Sequence, residues 1–110
     1  AIHHAPDSSF GHYALGYVYH VRNRFPEAER AAREAVRLAP EDADYWGLLS
    51  QSLFAQSRWR EALDAAAMGL QADPDHTVCN NLRAMAMVQL GDKKGASQSI
   101  ADTLRLRPAG

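Results

Sequence analysis

The sequence predicts an all-α protein, an α-solenoid of three helix-turn-helix units. Three observations predict it. A plan set out over residues 9–42 returns over 43–76 and again over 77–110, a period of 34 residues with no insertion or deletion. The landmarks Leu15, Gly16, Tyr19, Ala28, Ala35 and Pro40 become Leu49, Ser50, Leu53, Ala62, Gly69 and Pro74, then Arg83, Ala84, Met87, Ala96, Thr103 and Pro108. Within each unit the apolar residues recur at helical spacing, in two runs separated by a short polar turn.

Residues 1–8 line up with 35–42, so they read as the tail of a preceding unit. The last three residues are the closing positions of a unit, which suggests a piece of a longer repeat protein. The first helix opens behind Asp7, Ser8 and Ser9, all capping types. It extends to about Arg22. His12, Leu15, Gly16 and Tyr19 share its core stripe, with His12 where the next unit has Trp46. Phe10, Tyr13, Tyr17 and His20 share a second face; Ala14, Val18 and Val21 fill the remainder. A helix apolar nearly all round needs neighbours on more than one side. A stack of units supplies them.

Asn23-Arg24-Phe25 reads as the turn and Pro26 as the first residue of the second helix, where a missing N–H costs nothing. Glu27 and Glu29 near its start and Arg37 near its end complement the helix dipole. Ala28, Ala31, Ala32 and Ala35 give it a smooth side for close approach, and Ala39-Pro40 stops it. The second unit repeats this plan with Trp46, Leu49 and Leu53 as core. Ser57-Arg58-Trp59 is its turn, and the small residues are Ala65, Ala66, Ala67 and Gly69. In the third unit Thr77 is the capping type, Gly91 suits a left-handed close, and Lys93 to Leu106 forms the last helix.

These landmarks resemble the tetratricopeptide repeat, whose pattern is W-x2-L-G-x2-Y…A-x3-F…P over 34 residues. The first unit has Leu15-Gly16-x-x-Tyr19, Ala28, Ala35 and Pro40. The second has Trp46-x-x-Leu49, Ala62 and Pro74, with Ser50 for Gly and Leu53 for Tyr. The third keeps Ala84, Ala96 and Pro108 but has Asn80 for Trp and Arg83 for Leu. Arg83 must pair or reach water, and Asp64 and Asp73 are its expected partners.

The resemblance implies a right-handed superhelix whose first helices line a groove for a peptide or helix of another protein. The lining it implies is Phe10, Tyr13, Tyr17 and His20, then Asp44, Gly47, Gln51 and Phe54, then Val78, Asn81, Met85 and Val88. The residues expected to contact a ligand in that groove are Phe10, Tyr13, Tyr17, His20, Gln51, Phe54, Asn81, Met85 and Val88, a set that is aromatic and nearly neutral. Such residues offer apolar area with polar handles, the anchor chemistry of binding patches. Chaperone-binding members grip a terminal carboxylate with Lys, Asn and Arg. The matching positions here are Tyr13, Tyr17, Leu48, Val78 and Leu82, with no cation, so an acidic chaperone tail is not expected.

With 110 residues and a net charge of −1, the chain implies neither a strongly basic nor a strongly acidic partner, and no nucleic acid is expected. Its one cysteine, Cys79, excludes an internal disulfide framework and suits a reducing compartment: cytoplasmic, with periplasmic as the alternative. No apolar run approaches the ~18 residues of a membrane span. Alanine and arginine richness suggests a bacterial source. No phosphate loop, metal-ligand spacing or nucleophile–base pair stands out, so neither catalysis nor a cofactor or metal is expected.

Arg22, Arg24, Arg58, Arg60, Lys93 and Lys94 lie in turns within units. Asp7, Glu41, Asp42, Asp44, Asp73 and Asp75 lie in turns between them. These two edges serve helix dipoles, or one of them meets phosphates or another molecule. Two functions follow: a scaffold holding a partner peptide, or a structural or oligomerisation module of a larger protein whose catalytic or membrane domain lies outside this stretch; the uncapped ends are expected to allow self-association.

Overall fold

The structure, a computed structural model, describes residues 8–91. Five helices occupy it: α1 (Ser9–Val21), α2 (Phe25–Leu38), α3 (Ala43–Ala55), α4 (Trp59–Ala72) and α5 (Thr77–Gln89). The tail expected over 1–8, Ser8 apart, and the helix expected from Lys93 to Leu106 lie outside the described residues. Each helix packs on the next, and α3 also touches α1 and α5. No contact joins α1 to α5, so among the described residues the helices form an open stack.

The turns inside units share one geometry. Asn23 and Ser57 both have φ of +62°, and Gly91, one period later, has φ of +87°. The Asn23 N–H donates to His20 O at 3.0 Å and the Arg24 N–H to Tyr19 O at 2.8 Å. Ser57 and Arg58 repeat the pair with Phe54 and Leu53 at 2.9 and 3.1 Å. This double bond satisfies carbonyls that a helix end leaves bare. Glycine and, less readily, asparagine suit the left-handed position; serine does not. Ser57→Gly is therefore expected to stabilise the chain by about 0.5–1 kcal/mol, read as a higher urea midpoint.

The first helices of the units are capped by side chains. Ser8 Oγ accepts from the Gly11 N–H at 3.3 Å, and Asp42 Oδ1 from the Asp44 N–H at 3.0 Å. On α5 the cap is His76, whose Nδ1 accepts from the Cys79 N–H at 3.2 Å, with Thr77 already helical. Likewise Phe25 and Trp59, expected in turns, are the first residues of α2 and α4, and Pro26 is the second.

The core lies between α2, α3 and α4: Ala32, Ala35, Val36, Tyr45, Leu48, Leu49, Leu53, Ala62 and Ala65. A smaller cluster of Ala66, Leu70, Cys79 and Leu82 seals α4 to α5. Ala28 and Ala62 are fully buried, as a close helix contact requires. Ala28→Leu or Ala62→Leu is expected to cost about 1–3 kcal/mol in thermal stability by overpacking. A Cβ on Gly16 would stand 3.3 Å from Ala28 O. Ser50 takes the same place one unit on, and its hydroxyl donates to Ala62 O at 2.7 Å. The exchange of Gly for Ser thus converts a close approach into a hydrogen bond.

Asn80, standing for the family's Trp, also keeps a link. Trp46 Nε1 donates to Pro40 O at 2.7 Å, and Asn80 Nδ2 donates to Pro74 O at 3.2 Å. Arg83 does not pair with Asp64 or Asp73. Its Nη2 donates to Asn80 Oδ1, one turn back on its own helix, at 3.3 Å, and its buried Nε has no partner among the described residues.

The stripe expected to be core on α1 is only partly covered. Gly16 alone is buried, His12 and Tyr19 are half-buried, and Leu15 is 48 % exposed; Val21, on the remaining side, is 65 % exposed. On α3 the same faces are covered by α2 and α4, and Leu49 is 2 % exposed.

Candidate functional site

A hollow of about 420 Å³ opens where the end of α1, the following turn, α3 and α5 meet. His20, Asn23 and Phe25 form one wall. Gln51, Phe54 and Ala55 of α3 form the floor, and Val78, Asn81, Leu82 and Met85 of α5 the other wall. Of the nine groove residues expected, the hollow gathers His20, Gln51, Phe54, Asn81 and Met85. Val88 is exposed farther along α5 and does not line it.

Phe10, Tyr13 and Tyr17 form a separate aromatic row towards the start of α1. Tyr13 is half-buried, its ring stacked 4.9 Å from Tyr45 and 6.5 Å from Tyr17. Burial, then the charge of Asp44, raises the Tyr13 phenol above its ordinary range. Tyr17 and Phe10 are 53 % and 67 % exposed.

Phe25, Asn23, Ala55 and Leu82 were absent from the expected lining. The left-handed Asn23 reverses the chain and brings Phe25 under His20, ring edge to face at 5.3 Å. Phe54 meets Trp59 at 4.8 Å in the same manner, so an indole stands behind the floor. Apolar surface and carboxamides line the hollow, without one formal charge. Burial holds the His20 imidazole below its ordinary range, so it is neutral at neutral pH.

Behind the Phe25 wall lies an ionic cluster. Glu29, with its side chain 12 % exposed, accepts from Arg58 Nη1 at 2.6 Å and Arg33 Nε at 2.8 Å. Gln56 Nε2 donates to Glu29 Oε1 at 3.1 Å and also reaches Phe25 O at 3.4 Å. Glu61 closes the ring, 2.7 Å from Arg58 Nε and 3.6 Å from Arg33 Nη2. Arg24 pairs with Glu27 at 3.4 Å, so Arg24 and Arg58 of the basic edge are answered by glutamates.

Burial by itself would raise the Glu29 carboxyl. The hydrogen bonds from Arg33, Gln56 and Arg58 outweigh it and hold the group below its ordinary range. A depressed carboxyl contributes stability above its unfolded pKa and loses it as pH falls through the folded one. The urea midpoint is therefore expected to fall as the pH drops below about 4.5, and to fall less in Glu29→Gln.

The opposite edge is acidic. Glu41, Asp42, Asp44 and Asp73 surround a shallow hollow with His76, whose Nε2 is 2.7 Å from Asp44 Oδ1. Among the described residues no group of three His, Cys, Asp or Glu could hold a metal ion, and no helix is long and apolar enough to cross a membrane.

A family model described as tetratricopeptide repeat matches residues 13–77, more than half of the chain. No curated protein matches. Among solved structures, the Arabidopsis OM64 TPR domain is similar at a TM-score of 0.87 and 18 % identity, over 93 % of this chain and 84 % of that one. The TPR2B domain of yeast Sti1, solved as a complex with pHsp70, is similar at 0.84 and 20 %, over 86 % and 76 %. MamA from Desulfovibrio magneticus RS-1 is similar at 0.86 and 20 %, over 92 % of this chain and 57 % of that one. At these identities the likeness is one of fold.

Proposed function

Because the chain belongs to the tetratricopeptide repeat family, we propose that it is a protein-interaction module that holds a neutral peptide by an apolar anchor side chain. The observation that carries this reading is the uncharged hollow between Phe25, Phe54 and Met85. Water leaves such a surface at little cost, and His20, Asn23, Gln51 and Asn81 offer neutral hydrogen-bond partners around it. The similar Sti1 domain was solved as a complex with pHsp70, but an acidic chaperone tail does not fit this chain. Tyr13, Tyr17, Leu48, Val78 and Leu82 offer no cation for its carboxylates, and a carboxylate entering the hollow would lose its water for nothing.

Panning a random peptide display library against the chain tests the proposal. Selected peptides are expected to share an aromatic or large aliphatic residue and to lack an acidic terminus. Met85→Arg, at an exposed position, is expected to weaken them at least about tenfold with an unchanged helical spectrum. No enrichment, or enrichment indifferent to Met85→Arg, would overturn the reading.

A second reading, a module for assembly, is favoured by the open face of α1. Leu15, Val18 and Val21 are each about half exposed or more, on a helix apolar nearly all round. It predicts a monomer–oligomer equilibrium in sedimentation that Val18→Glu shifts to monomer. A chain monomeric at every concentration would remove it.

A further inference from the structure

We infer that Glu29 is a positioning residue: its ionic cluster fixes the angle between the first two units and thereby the span of the hollow. The inference rests on the binding reading for its consequence and on geometry alone for its substance.

The cluster occurs once. One period on, Glu29 becomes Leu63, Arg33 becomes Ala67 and Gln56 becomes Leu90. The second and third units therefore cannot build it. It stands where the hollow changes unit, since Phe25 belongs to the first unit and Phe54 and Ala55 to the second. Gln56 ties the two directly, donating to Phe25 O and to Glu29 from the residue after α3. Arg58 reaches Glu29 from the residue before α4, so three helix ends converge on one carboxylate.

Apolar alanine faces let helices slide or rotate by small steps, because dispersion contacts are not directional. A carboxylate held by two guanidinium groups and a carboxamide is directional and fixes one arrangement. Its cost in desolvation makes it a poor source of stability and a good source of uniqueness. A rigid wall at Phe25 is what a pre-formed anchor site needs.

The test replaces the cluster with this chain's own alternative. Glu29→Leu with Gln56→Leu installs the residues found one period later, and leaves Arg33 and Arg58 paired with Glu61. Spin labels at Arg22→Cys and Gln89→Cys, both exposed and neither lining the hollow, report the distance across it. Cys79 is fully buried and stays unlabelled. The double variant is expected to melt cooperatively, while the distance distribution shifts or broadens by about 2 Å or more. In the parent, about 1 M salt should broaden it in the same sense, and in the variant, which keeps only the exposed pairs with Glu61, salt should change it less. A peptide selected on the parent should dissociate about tenfold faster from the variant.

A folded variant whose distribution superposes on the parent's overturns the inference. If the double variant does not melt cooperatively, Glu29→Gln makes the same comparison. A shifted distribution without any peptide ligand leaves the positioning role standing and removes the binding reading instead.

Discussion

Leu49→Ala is expected to destabilise the chain by about 2–5 kcal/mol, and Leu15→Ala by about 1 kcal/mol or less. The two leucines hold the same place in successive units, so their helical environment is matched. Leu49 is 2 % exposed and lies in the cluster that joins α2, α3 and α4. Truncating it loses the transfer energy of its side chain and leaves space among alanines, which cannot expand to refill it. Leu15 is 48 % exposed, so much of its surface is in water whether the chain is folded or not. Urea titrations of both variants check the difference. Equal losses would mean that something covers α1 in solution, and the assembly reading would gain at the expense of a free end.

The period, the order of helices and the residue pairs that must approach closely were legible because each repeats. Ala28 and Ala62 are both fully buried, and Asn23, Ser57 and Gly91 all take a left-handed φ, although Ser57 does not announce it by type. What was not legible is what happens once. Glu29 looks like a helix-dipole acid, and nothing in its neighbourhood in sequence points to Arg58 or Gln56, 29 and 27 residues away. Phe25 looks like a turn residue, and only the tight reversal at Asn23 puts its ring beneath His20. Tyr13 shares a helix face with Tyr17, but its depth depends on Tyr45 across the unit boundary. His76 is not a usual cap; its Nδ1 reaches Cys79 N–H while Nε2 lies against Asp44. Arg83 took Asn80 in place of the acids because a partner one turn back on its helix needs no movement of another element.

Gly69→Ala is expected to destabilise by about 1–3 kcal/mol, although helix propensity alone predicts a gain of about 1 kcal/mol. The sign is therefore diagnostic. Gly69 lies inside α4, and a Cβ there would stand 2.4 Å from Cys79 Sγ and 3.0 Å from Trp46 Cβ. Trp46 Cβ is fixed to its backbone, and Cys79 Sγ, the end of a side chain with a single torsion, is enclosed on every side. Cys79 is fully buried, with Sγ 3.7 Å from Ala43 O, so α4 and α5 must part to admit a methyl group. At Gly47 the nearest atoms are 3.3 Å away, and Gly47→Ala should cost less. Cys79→Ala removes the obstructing sulfur. The double variant Gly69→Ala/Cys79→Ala should recover much of the loss, with a coupling energy of about 1 kcal/mol or more in a double-mutant cycle. The thiol supplies an independent readout. Burial, then the charges of Asp44 and Asp73, pushes its pKa up to about 11, so it is slow towards thiol reagents in the parent. Parting α4 from α5 should expose it, and labelling of Gly69→Ala should accelerate at a urea concentration where the parent stays protected. A Gly69→Ala chain that is more stable than the parent, with Cys79 still protected, would mean that the two helices sit farther apart than this packing requires.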